Sequence, residues 1–162
     1  MAEGDSRPRL VLISGATGAG KTTLAKAVAH ELGMARIASS DTIREVMRAV
    51  GDSPDPALNR SSYGRGDVGD PATDWEDAAK VVQPGIEAVV ERARRQGVDL
   101  VVEGVHIIPS RKLIGAWEAA GGAAVGVVVK IEDEDTHRQR IEEREKNTWR
   151  GAERYRIGFD RI

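Results

Sequence analysis

The sequence predicts an α/β domain in three layers, a parallel sheet with helices on both faces, on three observations. Short apolar runs alternate with amphipathic segments in a βαβα rhythm along the chain. The runs are continuous and rich in Val, Ile and Leu, as strands covered on both faces require. Aromatic residues make up only 4% of the chain, so the core must come from aliphatic side chains that allow close helix–sheet contact. At 162 residues the chain allows one domain, 1–162, and no second core.

The first run, Leu10 to Ile13, reads as the central strand. The helix that follows begins at Lys21 and carries Leu24, Ala25, Val28 and Leu32 on one stripe, with Gly33 as its stop. Met34 to Ala38 is a short second strand. The second helix opens with Asp41 as N-cap or with a Thr42/Glu45 capping box, and Gly51 closes it. Residues 52–72, rich in Gly, Pro, Asp and Ser, form a long acceptor loop with little regular structure. A long helix then runs from about Thr73 to Gln96, started by Thr73 and Glu76, kinked or broken at Pro84 and stopped by Gly97. Val98 to Glu103 is the third strand. Ser110 caps a helix to about Ala120, Ala123 to Ile131 is the fourth strand, and a charged lid helix covers 133–150. Right-handed crossovers then give a strand order of 2-3-1-4.

With 24 Lys and Arg against 26 Asp and Glu, the net charge of −2 provides no field for nucleic acid or an anionic membrane. The absence of Cys excludes disulfides, thiolate catalysis and Cys-ligated zinc, and no segment has the apolar length of a membrane span or the form of a signal peptide. A cytoplasmic protein is expected.

Gly15-Ala16-Thr17-Gly18-Ala19-Gly20-Lys21-Thr22 matches G-x-x-x-x-G-K-[ST] in full, between a strand and a helix as the motif requires. Glycines let backbone N–H groups turn inward onto phosphate oxygens, and the helix start adds its positive end. Lys21 supplies a charge for the outer phosphates, the Thr22 hydroxyl suits Mg²⁺, and Thr23 completes the nucleotide-binding stretch. The chain lacks a guanine-reading N/T-K-x-D motif and the insertions of motor ATPases, which leaves a small kinase as the economical reading, with ATP and Mg²⁺ as cofactors.

Phosphoryl transfer also needs an acid near the metal or acceptor hydroxyl and cations that close over the phosphates. Asp41 and Glu103 follow the second and third strands, on the sheet edge that carries the phosphate loop, and with Thr22 they are the candidate metal set. Asp41 doubles as the acid facing the acceptor, while its bland reading is a plain N-cap. On the charged helix Arg138 and Arg140 are the favoured closing pair; the alternative is a solvated face laced with i,i+4 pairs. His106 reads as a loop hydrogen-bonder beside the acceptor rather than a catalyst. Arg65-Gly66-Asp67 is a chance tripeptide.

Five ordered blocks carry a resemblance beyond the loop. GATGAGKT, SSDTIREVMR at 39–48, NRSSY at 59–63, VVEGVHIIPS at 101–110 and EDEDTHR at 132–138, with the closing RYRIGFDRI, are similar to the 2-phosphoglycerate kinase family. The resemblance implies a fold shared with nucleoside-monophosphate kinases and ATP- and Mg²⁺-dependent phosphorylation of 2-phosphoglycerate. It also implies that Asp41 and Arg44 face the acceptor, with Arg48, Arg60, Ser62 and Tyr63 completing an anion-reading pocket. The acceptor loop has its own composition, so a related metabolite or antibiotic hydroxyl stays open as the acceptor, as does a nucleotide-binding regulator without turnover. Members of this fold normally add a fifth strand after the lid. Here the sheet either ends at four strands, is completed by a second subunit in a homo-oligomer, or is cut short.

Overall fold

The computed structural model describes residues 7–51, 55–61, 64, 66, 69–146 and 153–162. Four parallel strands lie in the order β2-β3-β1-β4, as the alternation predicts. They are β1 (Arg9–Gly15), β2 (Ile37–Ser39), β3 (Leu100–Glu103) and β4 (Ala123–Val129). Between and after them run α1 (Lys21–Glu31), α2 (Ser40–Val50), α3 (Pro56–Asn59), α4 (Pro71–Gln96), α5 (Arg111–Ala119), α6 (Glu134–Lys146) and α7 (Glu153–Gly158), followed by one 3₁₀ turn at Phe159–Arg161. β1 pairs along its whole length with β4, and Leu10 to Ile13 stand opposite Leu100 to Glu103 of β3. Asp99 secures this register by accepting from the Arg9 backbone N–H and side chain, which holds its carboxyl below the usual range.

The larger core lies between the sheet and α4 and α5. There Leu10, Leu12, Leu100 and Val102 meet Val82, Ile86, Val90 and the fully buried Trp117. The opposite face packs Val11, Ile13 and Val101 against Ala25, Ala29 and Met34. On α1 the inward row is therefore Lys21, Ala25 and Ala29, four residues apart, with Val28 packed beside it; of the predicted stripe Ala25 and Val28 face the sheet, whereas Leu24 and Leu32 are exposed. Small side chains let α1 settle closely on the sheet, and that closeness keeps Lys21 under cover.

Three other expectations change. The long helix starts earlier, because Asp70 accepts from both the amide and the hydroxyl of Thr73 at 2.8 Å and Pro71 occupies the first turn. It also runs through Pro84 unbroken: Pro84 and Lys80 are both exposed, so the carbonyl left without a donor lies on the solvent side. Third, the segment expected to be an irregular loop holds the short helix α3, started by the Asp55 side chain on the Ala57 amide, and its Leu58 is buried in the main core.

Candidate phosphate and acceptor site

The loop 15–20 leaves β1 at the carboxyl edge of the sheet. Gly15 has φ +144°, and a Cβ there would lie 2.3 Å from the Val129 carbonyl oxygen, so only glycine lets the chain turn against β4. No side chain caps the start of α1; its first amides remain available to an anion. Lys21 is 7% exposed and donates to the Ala16 carbonyl at 2.6 Å, folded back over its own loop. Burial lowers its pKa, opposed by the nearby carboxylates of Glu103 and Asp41.

Glu103 ends β3 directly opposite Ser39 of β2 and Ile13 of β1. It is 6% exposed, and the hydroxyls of Thr22 and Ser39 lie close enough to act on its carboxyl. Burial raises its pKa, while Lys21 and the two hydroxyls pull the other way. Asp41, in the first turn of α2, carries a side chain 64% exposed. It is not the N-cap, and the expected Thr42/Glu45 capping box does not start the helix: Ser39 occupies the cap position, with no side-chain bond to the helix.

Lys21, Thr22, Glu103 and Asp41 therefore converge on one edge, as the strand ends require. Their oxygen donors fit Mg²⁺. Among the described residues no three His, Cys, Asp or Glu side chains form a cage, so the Thr22 hydroxyl and two carboxylates would complete a shell with phosphate oxygens and water, the usual manner of this ion.

Helix α6 sits on the phosphate loop. Asp133 caps it through the Thr136 amide, the His137 Nε2 lies 2.6 Å from the Thr17 carbonyl, and buried Ile141 lies against Gly18. A cavity of about 690 Å³ beside the loop is lined by Lys21, Thr22 and Thr23 on one side and Arg140 and Arg144 on the other. Arg138, expected as Arg140's partner, faces elsewhere: it pairs with Glu134 at 2.7 Å and covers the Phe159 ring at 3.7 Å. Arg144 stands in the cavity instead, held by Glu145 and the Tyr155 hydroxyl. Spacing alone could have found it, since 140 and 144 share a helical face whereas 138 and 140 do not.

The arginines expected at the acceptor are all engaged within the fold. Arg44 donates to the Arg60 carbonyl, Arg48 to Glu45 and Asn59, and Arg60 to the Asp74 carbonyl, bracing 55–61 against α2 and α4. Ser62 and Tyr63 lie outside the described residues. His106 is fully buried, with Nδ1 3.1 Å from the Ser40 hydroxyl and 3.6 Å from Asp41 Oδ1, and burial pushes its pKa down to about 4. Sequence reasoning missed Ser39 and Ser40, hidden because serine before a helix reads as a cap.

The AAA domain family model matches residues 10–157, the β1 strand and phosphate loop included. The chain belongs to that family. It is also similar to proteins named 2-phosphoglycerate kinase: one of Methanopyrus kandleri is 38% identical over 96% of this chain and 50% of its own, and one of Thermococcus kodakarensis 36% over 94% and 53%. The resemblance read from the five blocks thus holds over most of the sequence, and the chain spans about half the length of the curated relatives it matches. Among solved structures, a chain of the PezAT toxin–antitoxin system of Streptococcus pneumoniae aligns at TM-score 0.52 and 18% identity over 86% of this chain and 54% of that one. A chain of the Pnkp1/Rnl/Hen1 RNA repair complex aligns at 0.51 and 15%, over 91% and 40%. These two likenesses carry the fold alone. Among the described residues no helix is long and apolar enough to cross a membrane.

Proposed function

We propose that the chain is a kinase domain that transfers the γ-phosphoryl group of ATP to a hydroxyl of 2-phosphoglycerate or a similar anionic hydroxy compound. The observation that carries this is the meeting of Lys21, Thr22, Glu103 and Asp41 at the end of the phosphate loop, in a chain similar to proteins named for that reaction. In this reading residues 1–162 act as one domain, 52–72 form the acceptor loop and 133–150 the lid.

Lys21 leaves the Ala16 carbonyl for the β- and γ-phosphates, and the amides from Gly15 to Thr23 cradle them. Thr22, Glu103 and Asp41 would hold Mg²⁺, which when bound would neutralise charge on the phosphate oxygens. Asp41 orients the acceptor hydroxyl and takes its proton as the oxygen bonds to the γ-phosphorus. The bond from that phosphorus to the bridging oxygen breaks, and ADP departs. Arg140 and Arg144 cover the transferring group and exclude water; Arg138 joins them once it gives up Glu134 and Phe159. Arg44, Arg48, Arg60, Ser62 and Tyr63 make up the acceptor side, and His106, expected among them, is fully buried and stands behind it. A soluble, cytoplasmic protein working on a small molecule fits this reading, with a homo-oligomer completing the sheet.

One observation favours a wider choice of acceptor. A cavity of about 400 Å³ beside Gly15 to Thr17 is lined by Trp75, Val105, Pro109 and Val128, which suits an apolar portion on the hydroxy compound. A coupled ADP-release assay over a panel of phosphorylated and carboxylated hydroxy compounds tests the proposal. Acceptor-dependent turnover with 2-phosphoglycerate foremost is expected. Nucleotide binding with no acceptor raising turnover above the water background would leave a nucleotide-binding regulator.

A further inference from the structure

We infer that His106 is a positioning residue: acting through Ser40, it fixes the first turn of α2 and with it the place of the Asp41 carboxylate, without touching substrate. The inference rests on the proposed kinase reading for its consequence, and on the following geometry for its substance.

The first turn of α2 lacks an ordinary anchor. Ser39 holds the cap position but makes no side-chain capping bond. The next residue, Ser40, is fully buried. Its Oγ lies 3.4 Å from the His106 amide, which donates to it, and 3.1 Å from the His106 Nδ1. In the inferred arrangement the hydroxyl accepts the amide hydrogen and directs its own proton to Nδ1, which places the ring proton of neutral His106 on Nε2. Gly104 makes the contact close: a Cβ at that position would lie 1.8 Å from Ser40 Oγ.

His106 is itself a rigid support. On one side the Val105 carbonyl accepts from the Trp75 indole at 2.6 Å, and on the other the Ile107 carbonyl accepts from the Ser14 hydroxyl at 2.6 Å. The backbone on either side of His106 is thus tied to α4 and to the base of the phosphate loop, and the imidazole links that backbone to α2. Its Nδ1 lies 3.6 Å from Asp41 Oδ1. With Nδ1 engaged by the Ser40 hydroxyl, the two atoms are both acceptors and form no bond, and the exposed Asp41 carboxylate keeps its own capacity to receive a proton. Among the described residues Nε2 has no hydrogen-bond partner, a cost that leucine of similar size would not carry.

Three variants separate positioning from simple space-filling. In His106→Asn the side-chain oxygen replaces the Nδ1 acceptor; in His106→Gln the amide reaches the Nε2 position; His106→Leu supplies neither. The inference expects the Leu and Gln variants to lose at least about tenfold in kcat, with KM for ATP within about twofold of the parent, because a small misplacement of the acid penalises the transfer step. The Asn variant should recover to within about threefold. Parental kcat in the Leu variant, or equal losses in Leu and Asn, would overturn it.

Nitrogen NMR of the parent protein labelled in histidine gives a second reading that needs no turnover and no altered chain. It should show the Nε2–H tautomer for His106, whereas an Nδ1–H ring or a charged one would overturn the inference. If no acceptor on the panel is phosphorylated by the parent protein, the kinase reading fails; the NMR result then still decides the bracket between His106 and Ser40.

Discussion

Alanine at Gly104 is expected to destabilise the protein by about 2–4 kcal/mol, the range of strongly overpacked and strained sites. Two effects combine there. The backbone has φ +149°, a conformation that L side chains rarely adopt, and the new methyl would press into the Ser40 side chain, 1.8 Å from its oxygen and 2.7 Å from its Cβ. Neither neighbour can retreat. Gly104 donates to the Ile13 carbonyl, Ser40 begins a helix, and both lie in the buried floor of the site. Gly97→Ala serves as the comparison: its φ is also positive, at +62°, but its Cβ would meet nothing within 4 Å, so a loss of only about 1 kcal/mol is expected. Urea unfolding of both variants checks the difference. Equal, small losses would mean that the close approach of α2 to the end of β3 does not exist in solution.

Asn at Asp41 is expected to lower kcat by about 100-fold while leaving triphosphate affinity within about threefold, since positioned proton acceptors contribute on that scale. The side chain is mostly exposed and caps nothing, so Asn keeps its shape and leaves the fold intact. What is lost is a charge beside Lys21 and Glu103 and a base for the acceptor hydroxyl. Steady-state kinetics beside a thermal melt distinguishes the possible roles. Unchanged turnover with an unchanged melt would reduce Asp41 to a surface residue, and a matching fall in melt and turnover would make it structural.

The strand order and the phosphate loop were legible in the sequence because both rest on local patterns: continuous aliphatic runs for β1 and β3, and eight consecutive residues from Gly15 to Thr22. What escaped depended on contacts between distant segments. Leu24 and Leu32 look like core residues on a helical wheel, yet the sheet accepts the smaller Ala25 and Ala29 and turns the leucines outward. Asp41 resembles a helix cap in the sequence, yet Ser39 takes the cap position and Asp41 turns toward Lys21 and Glu103, the latter 62 residues further along the chain. Arg138 and Arg140 look equivalent in a charged helix. Only the C-terminal Phe159 and Asp160, folding back beside α6, draw Arg138 away and leave Arg144 next to Arg140 over the loop. Pro84 misled because local propensity ignores tertiary support: the freed Lys80 carbonyl faces solvent, and Val82, Ile86 and Val90, buried in the core, hold the helix together across the proline.

The phosphate loop is the centre of the account, and titration calorimetry with a non-hydrolysable ATP analogue and Mg²⁺ tests it most directly. One site per chain is predicted, with binding weakened by at least about tenfold in Lys21→Ala, because the ammonium gives a charge-assisted contact to the outer phosphates. No heat with the parent protein, or equal affinity in the parent and the Lys21→Ala variant, would contradict it.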